Sequence, residues 1–354
     1  MQSAFYQNTV MPTRVLFMKT GSHSLLNIAL LLIILTGPLM LKAMDTSNTV
    51  SGDLIIFHAG SLSVPFKQIS VAFQRKYPLV RVKSEAAGSR VCARKISELG
   101  KSCDVFASAD ISVIDTLLIP RHAAWSIPFA VNELSIVYHK TSRHAGEITT
   151  GNWYRILMKS DVRFGRSDPN SDPCGYRAVL TIKLAESFYQ QKDLAAEMLK
   201  KDTRYIRPKE TDLLALLEEG EIDYIFLYRS VAGQHDLKAL LLPDSINLKN
   251  PACNAVYSSA SVDVSGTAPG TTITKKGEAI VYGVTIPTGA PNSRAALAFM
   301  KFLLDPENGM KIMAKNGQDS IVPSPTSTYE HIPPELKPFV KPWPKPATPE
   351  DSAR

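Results

Sequence analysis

The sequence predicts an α/β protein of two lobes, each a doubly wound sheet flanked by helices, and three observations carry that reading. Short β-branched runs alternate with helical stretches from Asp53 onward, and they fall into two groups separated near Asn132. A late strand and helix are too little for a third domain. The length of 354 residues, 44% of them hydrophobic, suits two ordinary domains with filled cores and excludes a disordered, collagenous or coiled-coil chain.

In the first group, Leu54-Ile55-Ile56-Phe57 reads as a strand, 62–76 as a helix, Val80-Arg81-Val82 as a strand, 89–99 as a helix and Val105-Phe106-Ala107 as a strand. This alternation implies a parallel sheet with helices on both faces. The second group holds a strand from Leu134 to Tyr138, a helix over 152–158, a strand over 162–164, a long helix over 174–190, a helix over 212–219 and a strand over 222–228. A strand over 279–286 and a helix over 293–304 complete one of the lobes. The expected boundaries are 52–131 plus 282–339 for lobe 1 and 132–281 for lobe 2, with crossings near Phe129 to Glu133 and near Ile280. Prolines crowd the chain from Ile332, and 340–354 reads as an extended proline-rich tail.

Residues 1–44 stand apart as a secretory signal or N-terminal anchor. Arg14 and Lys19 precede an apolar run whose uninterrupted core, Ile28 to Leu35, is far shorter than the roughly 20 residues of a spanning helix. It ends at Gly37-Pro38, as a signal does, with cleavage expected near Ala43. The chain is therefore expected in the periplasm or at the outer face of the cell membrane. Lys and Arg total 40 against 33 acids, a net of +7, but Arg14, Lys19 and Lys42 lie in this segment, leaving 37 against 33 and a net of +4. No basic stripe interleaved with aromatics accompanies that charge, so a nucleic-acid partner is not expected. Arg90, Arg94, Lys95 and Lys101 form a basic patch that reads as a solvated face or a long-range attraction for dianions.

Cys92, Cys103, Cys174 and Cys253 make neither a zinc spacing nor a disulfide framework, though one bridge, such as Cys92 with Cys103, is possible in an exported protein. There is no GxSxG, HExxH, GxxxxGK[ST] or strand-following GxGxxG, and the seven histidines are scattered. These absences argue against an enzyme. What is present is a repeated junction: His58-Ala59-Gly60-Ser61, Ala86-Ala87-Gly88-Ser89 and Asp172-Pro173-Cys174-Gly175 each follow a strand and open a helix. Small or capping residues there let backbone approach a ligand, and free N–H groups of a first helical turn favour negative charge. Each of Ser61, Ser89 and Asp172 could equally be a plain helix cap; three such junctions at the carboxyl ends of strands point to an anion pocket.

FHAGSLSVPFK, EAAGSRVCARKISELG, DVFASAD, NELSIVYHK, NWYRILMKSDVRFGRSDPNSDPCGYR, GEIDYIFLYRSVAGQH and IVYGVTIP, in that order, resemble the tungstate- and molybdate-binding proteins of archaeal-type ABC importers. The resemblance implies a periplasmic-binding-protein fold whose two lobes close over one oxyanion. It also implies that Gly60, Ser61, Ser89, Asp172, Pro173, Cys174, Glu210 and Tyr228 hold the ligand. In this family the two acids, here Asp172 and Glu210, bind the metal of the oxyanion, while hydroxyls and backbone N–H groups hold its oxo atoms. That division makes physical sense, because two carboxylates repel a tetrahedral dianion such as sulfate, whereas hexavalent tungsten or molybdenum accepts extra oxygen ligands. The register of the second acid stays open, with Asp212, Glu218 and Glu219 as alternatives to Glu210. Cys174 is expected to offer its backbone N–H and not its thiol.

The resemblance implies a permease and its ATPase as partners, membrane contact only through them or a retained anchor, no cofactor besides the bound tungstate or molybdate, and a monomer. Two other readings remain. One is a binding protein for sulfate, phosphate or another oxyanion, with the acids as caps. The other is a hydrolase using Ser61 or Ser89 with His58.

Overall fold

The computed structural model of the chain describes residues 49–268 and 270–344. The expected segment 1–44 and the end of the expected tail, 345–354, lie outside the described residues. In chain order the first lobe begins with β1 (Gly52–Ala59), α1 (Ser63–Lys76), β2 (Val80–Ala87), α2 (Ser89–Ser97), β3 (Val105–Ser108), α3 (Ile111–Leu117) and β4 (Ile127–Val131). The second holds β5 (Leu134–Tyr138), α4 (Trp153–Met158), β6 (Phe164–Ser167), α5 (Pro173–Phe188), α6 (Leu194–Lys201), β7 (Ile206–Arg207), α7 (Asp212–Glu218), β8 (Tyr224–Tyr228), α8 (Arg229–Gln234), β9 (Lys238–Leu241) and α9 (Asn254–Tyr257). A hairpin of β10 (Ser261–Ser265) and β11 (Thr272–Lys276) follows. The chain then returns through β12 (Val281–Thr285), α10 (Ser293–Leu304), α11 (Gly309–Lys315), β13 (Asp319–Ser320), β14 (Ser324–Thr326) and β15 (Val340–Pro342).

Two large sheets result, one in the order β13-β4-β12-β3-β1-β2 and the other β7-β6-β8-β5-β9, giving the two-lobed α/β architecture, with β10-β11 and β14-β15 as small two-stranded sheets beside them. Side-chain alternation along the strands explains the layers. Val105 and Ala107 of β3 join Leu54 and Ile56 of β1 against Ile69 and Phe73 of α1 and Phe299 of α10, while Phe106 and Phe57 face Ala93 and Ile96 of α2 and Val113 of α3 on the other side. In the second lobe every residue of β8 is fully buried, as expected of a central strand covered on both faces.

The sheets are mixed where the alternation implies purely parallel ones. β1, β2 and β3 pair in parallel, but β12 runs antiparallel to both β3 and β4; β6 and β8 pair in parallel, but β5 runs antiparallel to β8 and β9. Apart from the two-residue β13, which runs antiparallel to β4, the reversed strands are those by which the chain arrives from the other lobe, β5 outbound and β12 on return. Their crossings lie side by side, because Val281 pairs with Val131 at the ends of β12 and β4.

Other elements escaped the sequence patterns. α3, β4, α6 and the β10–β11 hairpin were not anticipated, and the expected tail starts as β15, which pairs in parallel with β14. The four cysteines are free thiols, with Cys92 directed at the His58 carbonyl and Cys103 at that of Val105. The basic patch is a solvated face only in part: Lys101 is exposed and Lys95 pairs with Glu85, but the two arginines are engaged. Arg90 is buried, donating to the Asn170 carbonyl at 3.1 Å and to that of Ser265, and Arg94 donates to Ser265 and Gly266 carbonyls of the hairpin at 3.3 and 3.2 Å. Among the described residues no helix is long and apolar enough to cross a membrane.

Candidate functional site

The three junctions meet where the lobes face each other. Asp172 caps α5: its backbone is extended, Pro173 takes the first turn where no N–H is needed, and Oδ1 accepts from the Cys174 N–H at 3.2 Å. Its other oxygen, Oδ2, accepts from the Glu210 N–H at 3.0 Å. Glu210 is delivered by β7, a two-residue edge strand paired in parallel with Arg166 and Ser167 of β6. Pro208 then has no N–H to extend the ladder, so the chain turns and sets Glu210 just ahead of α7. Glu210 is 0% exposed, whereas Asp212, Glu218 and Glu219 face solvent and Asp212 pairs with Lys209 at 3.1 Å. The structure therefore brings Glu210, and not its alternatives, beside Asp172.

Lobe 1 approaches these acids through its glycines. A Cβ on Gly60 would lie 2.8 and 3.0 Å from the two carboxylate oxygens of Glu210, and one on Gly88 would lie 2.3 Å from the Ser171 carbonyl oxygen and 3.1 Å from Asp172 Cβ. Both positions require glycine for close packing across the cleft. Ser61 and Ser89, which follow them, do not cap helices. Ser61 sits in the single turn Gly60–Leu62 and its Oγ accepts from the Tyr282 hydroxyl at 3.0 Å; Ser89 Oγ accepts from the Ala109 N–H at 3.0 Å. Tyr228, at the end of β8, accepts from Arg177 Nη1 at 2.8 Å.

Contacts thus run in a closed circuit around the cleft: Ser89 to Ala109, Ala109 to Arg177, Arg177 to Tyr228, Tyr228 to the Tyr282 ring at 6.0 Å, Tyr282 to Ser61, and from Gly60 through Glu210 and Asp172 to Gly88. A hydroxyl has one proton and two acceptor lone pairs. In Ser61, Ser89 and Tyr228 a lone pair is taken by a protein donor, and among the described residues none of the three protons goes to a protein acceptor. These hydroxyls are left as donors.

The acids are electrostatically unsettled. Both oxygens of Glu210 are buried with no hydrogen-bond partner of good geometry among the described residues. Burial first, and then the Asp172 carboxyl beside it, push Glu210 well above the ordinary carboxylate range; burial also raises Asp172, against hydrogen bonds that pull it down. Among the described residues no group of three or more His, Cys, Asp or Glu gathers into a cation cage. The site offers two carboxyls and a ring of neutral donors.

Cys174 lies in the circuit's wall with its thiol toward the Phe226 carbonyl at 3.6 Å, and burial raises its pKa well above the usual thiol value. Its N–H serves the Asp172 cap. His58 directs Nδ1 at the Ala59 carbonyl at 2.8 Å, and burial lowers it to about 4, so it is no partner for either serine. Tyr282, Asn132 and Gln318 carry no local signal in the sequence motifs that marks them for this site. Asn132 donates to the Tyr282 hydroxyl at 3.0 Å, and Gln318 to the Ser61 carbonyl at 3.0 Å.

Comparison with known proteins bears on the family and the fold. A family model described as bacterial extracellular solute-binding protein matches residues 54–318. An uncharacterized solute-binding protein of Petrotoga mobilis is 47% identical over 313 residues, 88% of this chain and 96% of that protein. The molybdate/tungstate-binding protein WtpA of Pyrococcus abyssi is 40% identical over 335 residues, 86% of this chain and 95% of that one. Among solved structures, the periplasmic molybdate-binding protein of Azotobacter vinelandii aligns with a TM-score of 0.55 at 14% identity, over 75% of this chain and 98% of its own. The sulfate-binding protein SubI of Mycobacterium tuberculosis also reaches 0.55, at 15% identity, over 82% and 93%. At such identities the two structures speak for the fold alone.

Proposed function

We propose that this chain, which belongs to the bacterial extracellular solute-binding protein family, captures tungstate or molybdate outside the cytoplasm and hands it to an ABC permease driven by its ATPase. The observation that carries the reading is Glu210, whose two buried oxygens make no hydrogen bond of good geometry among the described residues and stand beside Asp172. A carboxylate so placed is costly unless it takes up a proton or something positive meets it. A hexavalent metal centre does so: Asp172 and Glu210 would each give it an oxygen, while Ser61, Ser89 and Tyr228 donate to the oxo atoms. Pro173 and Cys174 shape the wall between them, and Gly60 and Gly88 admit the opposite lobe. Relatives named for molybdate and tungstate support this choice over other oxyanions.

Sulfate fits the same pocket poorly. Sulfur does not expand its oxygen shell, so both acids would remain as like charges against the dianion. No reaction or further cofactor is assigned, and the protein is expected to work as an exported monomer, in the periplasm or at the outer face of the cell membrane. Calorimetry on residues 45–354 with tungstate, molybdate and sulfate tests the reading. Tight binding of the first two and weak or no binding of sulfate is expected; equal affinity for sulfate, or no binding of either metal oxyanion, overturns it.

A further inference from the structure

The circuit around the cleft passes through Arg177, a residue that the ligand chemistry does not use. It lies in α5, five positions beyond the Asp172 cap, and is buried. From lobe 2 its Nη1 reaches the Ala109 carbonyl of lobe 1 at 2.6 Å and the Tyr228 hydroxyl of its own lobe at 2.8 Å, while Nη2 stands 3.7 Å from Asp110 Oδ2. Tyr176, its neighbour, donates to the same Asp110 carboxylate, and Lys275 of the hairpin stands 4.0 Å from it. One guanidinium is thus bonded to the opposite lobe and to a hydroxyl of the pocket.

We propose that Arg177 is a positioning residue that ties the donor state of Tyr228 to closure of the lobes. By donating into the tyrosine oxygen it occupies a lone pair there and leaves the O–H proton to the cleft. Its own fork is held in register by Ala109 and Asp110, which belong to lobe 1 and move away when the cleft opens. Tyr228 is then a fixed donor only in the closed form, so its contribution to holding an oxo atom arrives together with closure. This inference rests on the proposal above that Tyr228 contacts the ligand.

A double-mutant cycle measured by calorimetry with tungstate separates this role from plain support of the fold. Arg177→Met should weaken tungstate binding about tenfold in the wild-type background and by less than about twofold in a Tyr228→Phe background, because the hydroxyl through which it acts is gone. Arg177→Lys, which keeps one donor, should recover part of the loss. Equal losses in both backgrounds overturn the inference. Where Arg177→Met does not fold, the cycle is run with Arg177→Lys, and absence of coupling there overturns it as well. Failure of the wild-type protein to bind tungstate or molybdate would instead defeat the functional reading itself.

Discussion

The two lobes are built alike and face each other with opposite chemistry. Each is a mixed sheet whose antiparallel crossing strand comes from its partner, β12 in one and β5 in the other. Yet lobe 1 brings to the proposed ligand site glycines and neutral hydroxyls, Gly60, Ser61 and Ser89, whereas lobe 2 brings both acids and the tyrosine, Asp172, Glu210 and Tyr228. Lobe 1 alone would suit almost any anion, and lobe 2 alone would repel most of them. Selectivity on this reading belongs to neither lobe, only to their closed pair.

The largest expected effect comes from making lobe 2 resemble lobe 1. Glu210→Gln and Asp172→Asn should each weaken tungstate binding by about 100-fold or more, since loss of a metal ligand exceeds the 10–100-fold typical of outer-shell changes. Sulfate binding should stay the same or improve in the same variants, because a like charge has been removed. Calorimetry with both anions checks this, and a parallel fall for sulfate would break the contrast between the lobes.

Asp110 reverses the pattern, as an acid of lobe 1 facing Arg177 and Lys275 of lobe 2. Burial alone would raise its pKa, but Arg177 and then Lys275 outweigh burial and hold it at about 2, below the ordinary value of 3.8. A carboxyl lowered in the folded state stabilises the protein above its ordinary value and loses that contribution as pH falls toward about 2. The loss should amount to on the order of 2 kcal/mol, read as unfolding free energy against pH between about 4 and 2, and Asp110→Asn should flatten the curve there. Glu210 and Asp172 are raised and carry the opposite sign: without ligand they favour the closed form at low pH and weaken it as pH climbs through their elevated values.

The smallest of the three changes is steric. Gly60→Ala sets a methyl 2.8 Å from Glu210 Oε2, so either the carboxylate is displaced or the lobes stop short of full closure. Tungstate affinity should fall about tenfold while thermal stability without ligand changes little. A ligand-induced compaction smaller than that of the wild type, measured by small-angle scattering, would locate the effect in closure.

Much of this was legible in the sequence where information is local. β1, α1, β5, α5, β8 and α10 declare themselves through alternation, helical periodicity and caps, and the three junction motifs mark the cleft. Less legible were features fixed by distant partners. Ser61 and Ser89 look like helix caps, and only the arrival of Tyr282 and the Ala109 N–H shows that their oxygens are engaged elsewhere. Tyr282 lies 221 positions from Ser61 and reads locally as one more strand residue. Glu210 lacks any periodic signal, because it is set by a two-residue strand and a proline. Arg90 and Arg94 read locally as solvated, because the hairpin whose Ser265 carbonyl accepts from both leaves no pattern near them in sequence. Arg177 had one signal, an arginine in a helix buried on nearly every face, and such a residue is rarely there without a partner.

The adjacent crossings have a consequence for what the protein can report. Because β4 and β12 are bonded to each other at Val131 and Val281, the linkers leave the first sheet side by side, which on the proposed reading gives the lobes one axis of opening. A molecule with a single soft coordinate has little to say beyond shut or ajar. To a receiving permease, the identity of the cargo would be encoded as one bit, written when two acids and a ring of hydroxyls agree on what lies between them.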